Sequence, residues 1–166
     1  MSKGLPPLLK PGLKVVFIGT EPGAKSLRTQ SYYANSRNSF WRDLYTAGLT
    51  ATVLSPADFR RALTFGIGLD DVYDDAAALR RRIVVAAPRA VCFNSKDALA
   101  RVAGEKVRAP WSGPDASRWV EFPGVLIWAL HDSSPMASAY WALRLEELRA
   151  LRRRIGQPGD PDETTR

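Results

Sequence analysis

The chain has 166 residues, of which 45% are hydrophobic and 25% charged, and these ordinary globular values exclude a fibrous repeat or a globally disordered protein. It contains one cysteine, Cys92, and one histidine, His131, which excludes an intramolecular disulfide and leaves few ligands for a zinc site. Lysine and arginine outnumber aspartate and glutamate by 24 to 17, and the net charge of +7 favours either a polyanionic partner such as nucleic acid or solubility alone.

The spacing of apolar and helix-capping residues predicts alternating strands and helices. In chain order we predict a strand at 13–18, helices at 38–47 and from 55 onward, a helix at 76–86, a strand at 89–93, a helix at 95–103, strands at 118–122 and 125–130, and a helix at 140–155. This order indicates one α/β domain over residues 1–156, three-layer α/β/α with a central, mostly parallel four-stranded sheet. Residues 157–166 are expected to form a disordered tail.

Neither a membrane span nor a secretory leader is predicted. The longest apolar runs, 15–18 and 125–130, are far shorter than the roughly 20 residues that a membrane helix needs. Two prolines soon after Gly4 interrupt the N-terminus, which lacks the apolar run of a signal peptide. We therefore expect a cytoplasmic protein that does not contact membranes.

The loop after the first strand is the first candidate for a site, because ligands of parallel sheets bind at the carboxyl ends of the strands. The strand runs into Gly19-Thr20-Glu21-Pro22-Gly23, a turn whose glycines let a ligand approach the backbone closely. The turn has neither the spacing of a P-loop nor the glycine pattern of a dinucleotide-binding loop. By itself it is weak support for any ligand.

The segment 31–41 combines two tyrosines, two asparagines and an arginine ahead of a helix. An aromatic ring can stack on a nucleobase, and a side-chain amide can recognise the edge of one. Phe40 and Trp41 fit the apolar face of the helix instead, so we expect them in the core. Asn38 fits both a helix cap and a base contact.

The loop after the last strand, 131–138, holds the single histidine and an acid before a serine-rich turn. Ser134 as N-cap and Pro135 in the first turn would direct backbone N–H groups towards a phosphate. Met136 would then lie at a loop tip. There it would serve either as a staple of the helix or as a wedge that fills the gap left by an extruded base.

Taken together, these segments resemble the uracil-DNA glycosylase superfamily. The resemblance rests on Gly19-Thr20-Glu21-Pro22-Gly23, on Tyr33-Ala34 with Asn38-Ser39-Phe40-Trp41, and on Ser133-Ser134-Pro135. The branches most similar to it are the mismatch-specific uracil/thymine-DNA glycosylases and, through 26–41, 66–72 and 93–96, the hypoxanthine-DNA glycosylases. The resemblance covers most of residues 13–154 and implies the fold of that family.

The resemblance also implies which residues bind the base. Tyr33 falls where the family places an aromatic ring that stacks on the extruded base, and Asn38 where the hypoxanthine branch has its catalytic asparagine. Asn38 and the turn at Thr20 are expected to bond the base. Asp70 or Asp71 lies where several branches place a base-recognising residue, and we assign that contact to Asp70.

Three further residues are assigned to catalysis by the same resemblance. Glu21 stands where mismatch-specific members have asparagine and the uracil-specific enzymes have aspartate, and it is one methylene longer than the latter. Asp132 or His131 falls near the catalytic histidine of the uracil-specific enzymes, with the register open by one residue. Either Glu21 or Asn38 would hold the attacking water, and His131 would serve as a donor to the leaving base or as a structural histidine.

Contacts with the DNA strand are expected from residues around these loops. Met136 matches the intercalating position, and Ser133 and Ser134 match the turn that pinches the strand. The remaining predicted DNA contacts are Gly23, Lys25, Arg37, Ser95, Lys96 and Pro135.

The function that the resemblance implies is a monofunctional DNA glycosylase of base excision repair. It would extrude and hydrolytically remove deaminated or mismatched bases from double-stranded DNA: uracil, with hypoxanthine, xanthine or mismatched thymine as further candidates. We expect no metal or cofactor, a monomer, and association with the nucleoid through DNA binding. A non-catalytic nucleic-acid- or nucleotide-binding module on the same fold, and a flavodoxin-like binder of small molecules, are the alternatives.

Overall fold

The structure is a computed structural model that describes residues 4–72 and 75–156, so the predicted tail at 157–166 lies outside the described residues. The strands are β1 (Val15–Gly19), β2 (Ile67–Asp71), β3 (Ala90–Phe93) and β4 (Leu126–Ala129). The α-helices are α1 (Ala24–Thr29), α2 (Phe40–Thr46), α3 (Ala76–Ala86), α4 (Lys96–Ala103) and α5 (Trp141–Ile155). Three 3-10 segments cover Pro56–Phe65, Pro114–Arg118 and Pro135–Tyr140.

The four strands pair in the order β2-β1-β3-β4, and all three pairings are parallel. Ile18 of β1 lies level with Asp70 of β2 and with Phe93 of β3, which in turn lies level with Ala129 of β4. The carboxyl ends of all four strands therefore meet at one edge of the sheet. The predicted α/β class, with a four-stranded parallel sheet, is confirmed.

Helices cover both faces of the sheet because side chains of a strand alternate between its faces. Val15 and Phe17 of β1 belong to the core cluster that α2 and α5 cover, whereas Val16 and Ile18 belong to the cluster on the side of α3 and α4. All four of these side chains are fully buried. The result is the predicted three-layer arrangement.

The prediction of a strand at 118–122 was wrong. The 3-10 segment ends at Arg118, and residues 119–122 form no strand. Val120 and Phe122 are nevertheless buried, in the cluster beneath α3 and α4. Alternate burial of apolar side chains produced the strand-like pattern, although the backbone there bonds to no neighbouring strand.

The sequence pattern predicted β1, β3 and β4 but did not predict β2 as a strand. Its glycine and its two terminal aspartates are residues that strands usually disfavour. Gly68 is needed because a Cβ there would lie 2.8 Å from the carbonyl oxygen of Leu8, whose chain bridges antiparallel to Leu69. A contact with a distant segment, invisible in the local pattern, thus fixes this strand.

Helix starts follow the predicted capping chemistry in part. Ser95 caps α4 by accepting a hydrogen bond from the backbone N–H of Ala98 at 3.1 Å. Ser134 and Pro135 do begin a helical segment, but it is 3-10. None of the helices in the described ranges is long and apolar enough to cross a membrane.

Candidate active site

A crevice of about 300 Å3 opens at the carboxyl edge of the sheet, where a ligand site of a parallel sheet is expected. The loops that follow β1, β3 and β4 contribute to it, together with the last residue of β2 and the segment before α2. It brings together the predicted Glu21, Asn38 and Asp132, which are far apart in sequence. The other predicted residues that line it are Thr20, Gly23, Lys25, Tyr33, Ser95, Ser134 and Pro135.

Tyr33 forms an aromatic wall of the crevice. One face of its ring stacks on Phe40, with ring centroids 3.9 Å apart and planes at 17°. Its backbone adopts φ 52, a left-handed conformation that is uncommon for a residue with a side chain and costs free energy. Its buried hydroxyl has no hydrogen-bond partner among the described residues, and burial raises the pKa of that hydroxyl well above its usual value. This polar atom therefore lies buried beside the crevice with its hydrogen-bonding capacity unused among the described residues.

Gly19, the last residue of β1, lets two polar side chains approach the strand end. A Cβ at this position would lie 2.8 Å from the hydroxyl oxygen of Tyr33 and 2.8 Å from Oδ1 of Asp71. Any larger residue would push one or both of them away. The first glycine of the predicted turn thus shapes the crevice.

Hydrogen bonds to backbone groups of neighbouring residues hold Asn38 at the start of α2. Its Oδ1 accepts a hydrogen bond from the N–H of Phe40 at 3.0 Å, and its N–H donates to the carbonyl of Asn35 at 2.9 Å. The next residue, Ser39, donates from its N–H to the carbonyl of Ser133 at 3.0 Å. These bonds fix Asn38 beside the loop that carries Asp132.

Asp132 follows β4 and has an exposed side chain. Its Oδ1 accepts a hydrogen bond from the N–H of Ser134 at 3.0 Å, which closes the turn. The side chain borders both the crevice and a second cleft next to it. The carboxylate therefore faces the space between the two.

Glu21 lines the crevice, but its carboxylate is engaged by α4. Its Oε1 accepts a hydrogen bond from Nη1 of Arg101 at 2.9 Å, and Arg101 also contacts Asp97 at 3.2 Å. This bond to Glu21 is the main reason why the pKa of the Arg101 guanidinium is raised. The extra methylene of glutamate carries its charge outward to a helix, away from the strand end.

The structure does not place Asp70 at the crevice, which corrects the assignment of base contact to that residue. Arg82 of α3 donates to both carboxylate oxygens of Asp70, from Nε at 2.8 Å and from Nη2 at 3.1 Å. Successive side chains of a strand point to opposite faces, so Asp71 faces the crevice instead. Asp71 is 8% exposed, and burial followed by the charge of Asp70 raises the pKa of its carboxyl to about 8.

The ring of His131 is not among the groups that line the crevice, although its neighbour Asp132 is. Its Nδ1 lies 2.9 Å from Oε2 of Glu147 on α5, and its ring stacks on Tyr140 with centroids 5.1 Å apart. The ring of Trp111 lies against another side of the His131 ring, with 4.8 Å between the two ring centroids. This geometry corresponds to the structural histidine of the two predicted possibilities.

Asn94, which directly follows β3, lines the crevice and was given no role from the sequence. Its Nδ2 donates to the hydroxyl of Ser133 at 3.0 Å, whereas its buried Oδ1 has no partner in the described part of the chain. An unpaired buried acceptor costs free energy unless a ligand satisfies it. The available signal was its position immediately after a buried strand.

The second cleft, of about 230 Å3, lies on the other side of the 132–135 turn. Arg42 approaches the ring of Trp141 there, with 5.7 Å between Cζ and the ring centroid. Arg37 and Ser133, both predicted DNA contacts, border this cleft. Two guanidinium groups beside a cleft at the surface suit an anion.

The predicted Met136 and Lys96 lie on the surface outside both cavities. Met136 is 97% exposed, so it does not act as a staple within the protein. The ammonium group of Lys96 lies 5.9 Å from the ring centroid of Trp111.

A buried ion pair holds the walls of the site together. Nε of Arg144 on α5 donates to Oδ2 of Asp43 on α2 at 2.7 Å, and both side chains are fully buried. Asp43 also accepts from the hydroxyl of Ser39 at 2.6 Å and from Nε1 of Trp141 at 2.7 Å, while Arg144 donates to the carbonyl of His131 at 2.7 Å. The network thus joins α2, α5 and the loop after β4.

Over residues 4–72 and 75–156, no three histidine, cysteine, aspartate or glutamate side chains are grouped as ligands of a metal ion. The polar side chains that line the crevice are carboxyls, carboxamides, aliphatic hydroxyls, two phenols and the ammonium group of Lys25.

Comparison with known proteins shows what this chain is similar to. The family model described as the uracil DNA glycosylase superfamily matches residues 6–154. A solution NMR structure from Methanosarcina acetivorans, of a protein described as a candidate uracil DNA glycosylase, superposes with a TM-score of 0.66 at 22% sequence identity. The alignment covers 92% of this chain and 97% of that one, so the two share their fold over nearly their whole length.

Proposed function

The chain belongs to the uracil DNA glycosylase superfamily, and from this premise we propose that it is a monofunctional DNA glycosylase of base excision repair. It extrudes a deaminated or mismatched base from double-stranded DNA and hydrolyses the N-glycosidic bond. Uracil, hypoxanthine, xanthine and mismatched thymine are its candidate substrates. The observation that carries the proposal is the meeting of Asn38, Asp132 and Tyr33 in one crevice at the carboxyl edge of the sheet.

The crevice suits an extruded base. Extrusion costs a few kcal/mol, less for a mispaired base, and stacking on an aromatic ring recovers about 1–3 kcal/mol. Phe40 holds the Tyr33 ring in place from behind, so the ring presents a fixed surface to the crevice. Asn94 and Asp71 supply polar groups for the edge of the base.

The reaction passes through a sugar with oxocarbenium character, as glycoside hydrolysis generally does. We assign the attacking water to the carboxamide of Asn38, which its backbone bonds hold in place. The carboxylate of Asp132 stabilises the positive charge on the sugar, and a preorganised group of this kind needs no reorganisation during the reaction. Glu21 is assigned to anchoring the 19–23 turn on α4 through Arg101, because its carboxylate is engaged there.

The surfaces around the crevice would bind the DNA strand. Phosphates would occupy the second cleft beside Arg37 and Arg42, where each contact releases counterions. Met136, exposed at the adjacent turn, would enter the duplex and fill the space that the extruded base leaves.

The test is a strand-cleavage assay with end-labelled duplexes that carry uracil, hypoxanthine, xanthine or mismatched thymine, each treated with alkali after incubation. We expect cleavage of at least one damaged duplex and none of the undamaged one. Asn38→Ala should lower the single-turnover rate about 10²–10⁴-fold while binding is largely kept, because the water loses its acceptor. Ser36→Ala, on the same loop and outside the crevice lining, is the matched control.

The alternative of a non-catalytic nucleic-acid-binding module predicts a different result. It would bind the duplexes with salt-dependent affinity and release no base from any of them. A protein that cleaves none of the four duplexes although it binds them would therefore refute the glycosylase proposal.

A further inference from the structure

Trp141, the first residue of α5, presents an exposed indole ring at the second cleft. Its side chain is 38% exposed, whereas Trp41 and Trp128 are buried in the core. An aromatic ring left in water contributes little to the stability of the folded chain. Single exposed rings are common on protein surfaces, so the significance of this one depends on how it is held and on what surrounds it.

The indole ring is held in a fixed orientation. Its Nε1 donates a hydrogen bond to Oδ1 of Asp43 at 2.7 Å, and the other carboxylate oxygen of Asp43 accepts from Nε of Arg144 at 2.7 Å. Asp43 and Arg144 are both fully buried. Because the ring is bonded to this interior pair before any ligand arrives, stacking on it costs little further conformational entropy.

The charges around the ring are mainly positive. Arg37 and Arg42 border the cleft and are exposed, and neither forms a salt bridge within the described ranges. Cζ of Arg42 lies 5.7 Å from the centroid of the Trp141 ring, close to the limit of about 6 Å for a cation–π contact, so an anion can displace it at small cost. Two cations thus outnumber the one carboxylate among the described lining residues, Asp132.

An aromatic ring beside guanidinium groups is the combination that binds a nucleotide of a DNA strand. The base stacks on the ring, whatever its identity, and the phosphate pairs with a cation. The hydroxyls of Ser134 and Ser138, which also border the cleft, are further donors for phosphate oxygens. A free phosphate would use the cations alone and would leave the ring uncovered.

The second cleft adjoins the crevice across the 132–135 turn. Asp132, Ser134 and Pro135 border both cavities, so this turn is the wall that the two share. A DNA strand is a continuous chain of nucleotides, and the neighbours of a nucleotide bound in the crevice lie at its rim. The second cleft is therefore placed to receive one of them.

We propose that the second cleft is a subsite for an undamaged nucleotide of the DNA strand, whose base stacks on Trp141 and whose phosphate pairs with Arg37 or Arg42. The proposal rests on the proposed glycosylase function and deepens it, because it makes the nucleotide next to the extruded one part of the recognised substrate. Trp141 contacts this neighbour and not the base that is removed.

The first test measures binding without turnover. Fluorescence anisotropy compares an oligothymidylate strand with a strand of tetrahydrofuran residues of the same length, which carries the same phosphates and no bases. Wild type should bind the base-bearing strand more tightly. In Trp141→Leu the ratio of the two affinities should fall about 5- to 100-fold, because one stacked base is lost.

Three further variants separate stacking from other effects. Trp141→Phe lacks the bond to Asp43, as Trp141→Leu does, but keeps an aromatic ring, so it should retain most of the affinity ratio. Arg42→Gln should weaken binding of both strands by the same factor, since both carry the phosphates. Trp119→Leu, the same substitution outside the lining of either cavity, should bind as wild type does.

The second test locates the subsite relative to the damaged base. One flanking nucleotide of the best-cleaved substrate, on the 5′ or the 3′ side, is replaced by a tetrahydrofuran residue. On one of the two sides this replacement should lower kcat/KM of wild type about 5- to 100-fold. Trp141→Leu should show a similar loss with the intact substrate and no further loss with the replacement, because both changes remove the same contact.

The outcomes of the two tests are distinguishable. An unchanged affinity ratio in Trp141→Leu, or an equal loss of affinity for both strands, would overturn the base contact and indicate a site for phosphate alone. A lowered ratio in a protein that releases no base from any substrate would refute the proposed function, while the nucleotide subsite stands. Equal effects of the flanking replacement on wild type and on Trp141→Leu would overturn the placement beside the extruded nucleotide.

Discussion

At the scale of single residues, neighbours along the chain have unrelated tasks. Asp70 pairs with Arg82 while Asp71 faces the crevice, and the ring of His131 contacts α5 while Asp132 faces the crevice. Asp70 and Asp71 end β2, where a change of one position reverses the face to which the side chain points, whereas His131 and Asp132 lie in the loop after β4. The chemical identity of a residue therefore does not determine its role at this edge of the sheet.

Two of the carboxyl side chains that line the crevice, Asp132 and Glu21, lead to a prediction at this scale. Asp132→Asn should lower the single-turnover rate about 10²–10³-fold, because the positive charge on the sugar loses its stabilising group. Glu21→Gln should stay within about tenfold of wild type, since the amide oxygen still accepts from Arg101. Rates are measured with enzyme in excess over a cleavable duplex. A larger loss in Glu21→Gln than in Asp132→Asn would make Glu21 the catalytic carboxylate.

At the scale of elements, the buried pair of Asp43 and Arg144 joins α2 to α5 and, through the carbonyl of His131, to the loop after β4. Neither Asn38 nor Asp132 belongs to this network, but each is adjacent in sequence to a residue that does: Ser39 and His131. The distance between the two loops thus depends on a pair of charges in the protein interior.

Removal of one charge should reveal this coupling. Arg144→Met leaves Asp43 buried without its cation, and we expect the free energy of unfolding in urea to fall by about 3–5 kcal/mol. Arg149→Met, at an exposed position of the same helix, should change it by less than about 0.5 kcal/mol. The double variant Asp43→Leu with Arg144→Met should recover part of the loss. Equal stability of the Arg144 and Arg149 variants would show that the pair does not hold the elements together.

At the scale of the whole molecule, the net positive charge and the two cavities together determine how a polyanion would bind. The net charge of +7 attracts any polyanion, and the crevice with its neighbouring cleft decides where a DNA strand would bind. Binding of this kind releases counterions, so the affinity for DNA must fall as salt is added.

The salt dependence gives a prediction for the second cleft. Arg37→Gln and Arg42→Gln should each lower the slope of log K against log salt by about 0.9 for an undamaged duplex, because each removes one phosphate contact. Arg153→Gln, at an exposed position near the end of α5 and outside the lining of either cavity, should leave the slope unchanged. Anisotropy titrations at several salt concentrations measure it. Unchanged slopes in all three variants would exclude the second cleft as a phosphate site.

The local pattern of the sequence was sufficient for the type of fold and for the loops that form the site. Apolar runs and helix caps predicted three of the four strands and the alternation with helices, because these features depend on residues close together in the chain. The site residues could be found because they lie next to the ends of strands or helices: the glycines of the 19–23 turn and the polar residues at 33, 38 and 132. Residues at the carboxyl ends of parallel strands meet at one edge of the sheet.

Only the tertiary structure decided what depends on contacts between distant segments. It made 67–71 a strand through its pairing with β1, and it left 118–122 without a partner strand. It turned Asp71 rather than Asp70 towards the crevice, engaged Glu21 with Arg101 and left Oδ1 of Asn94 unpaired. The direction of a side chain and the solvation of its charge are set by residues that lie far away in sequence, and the local pattern carries no record of them.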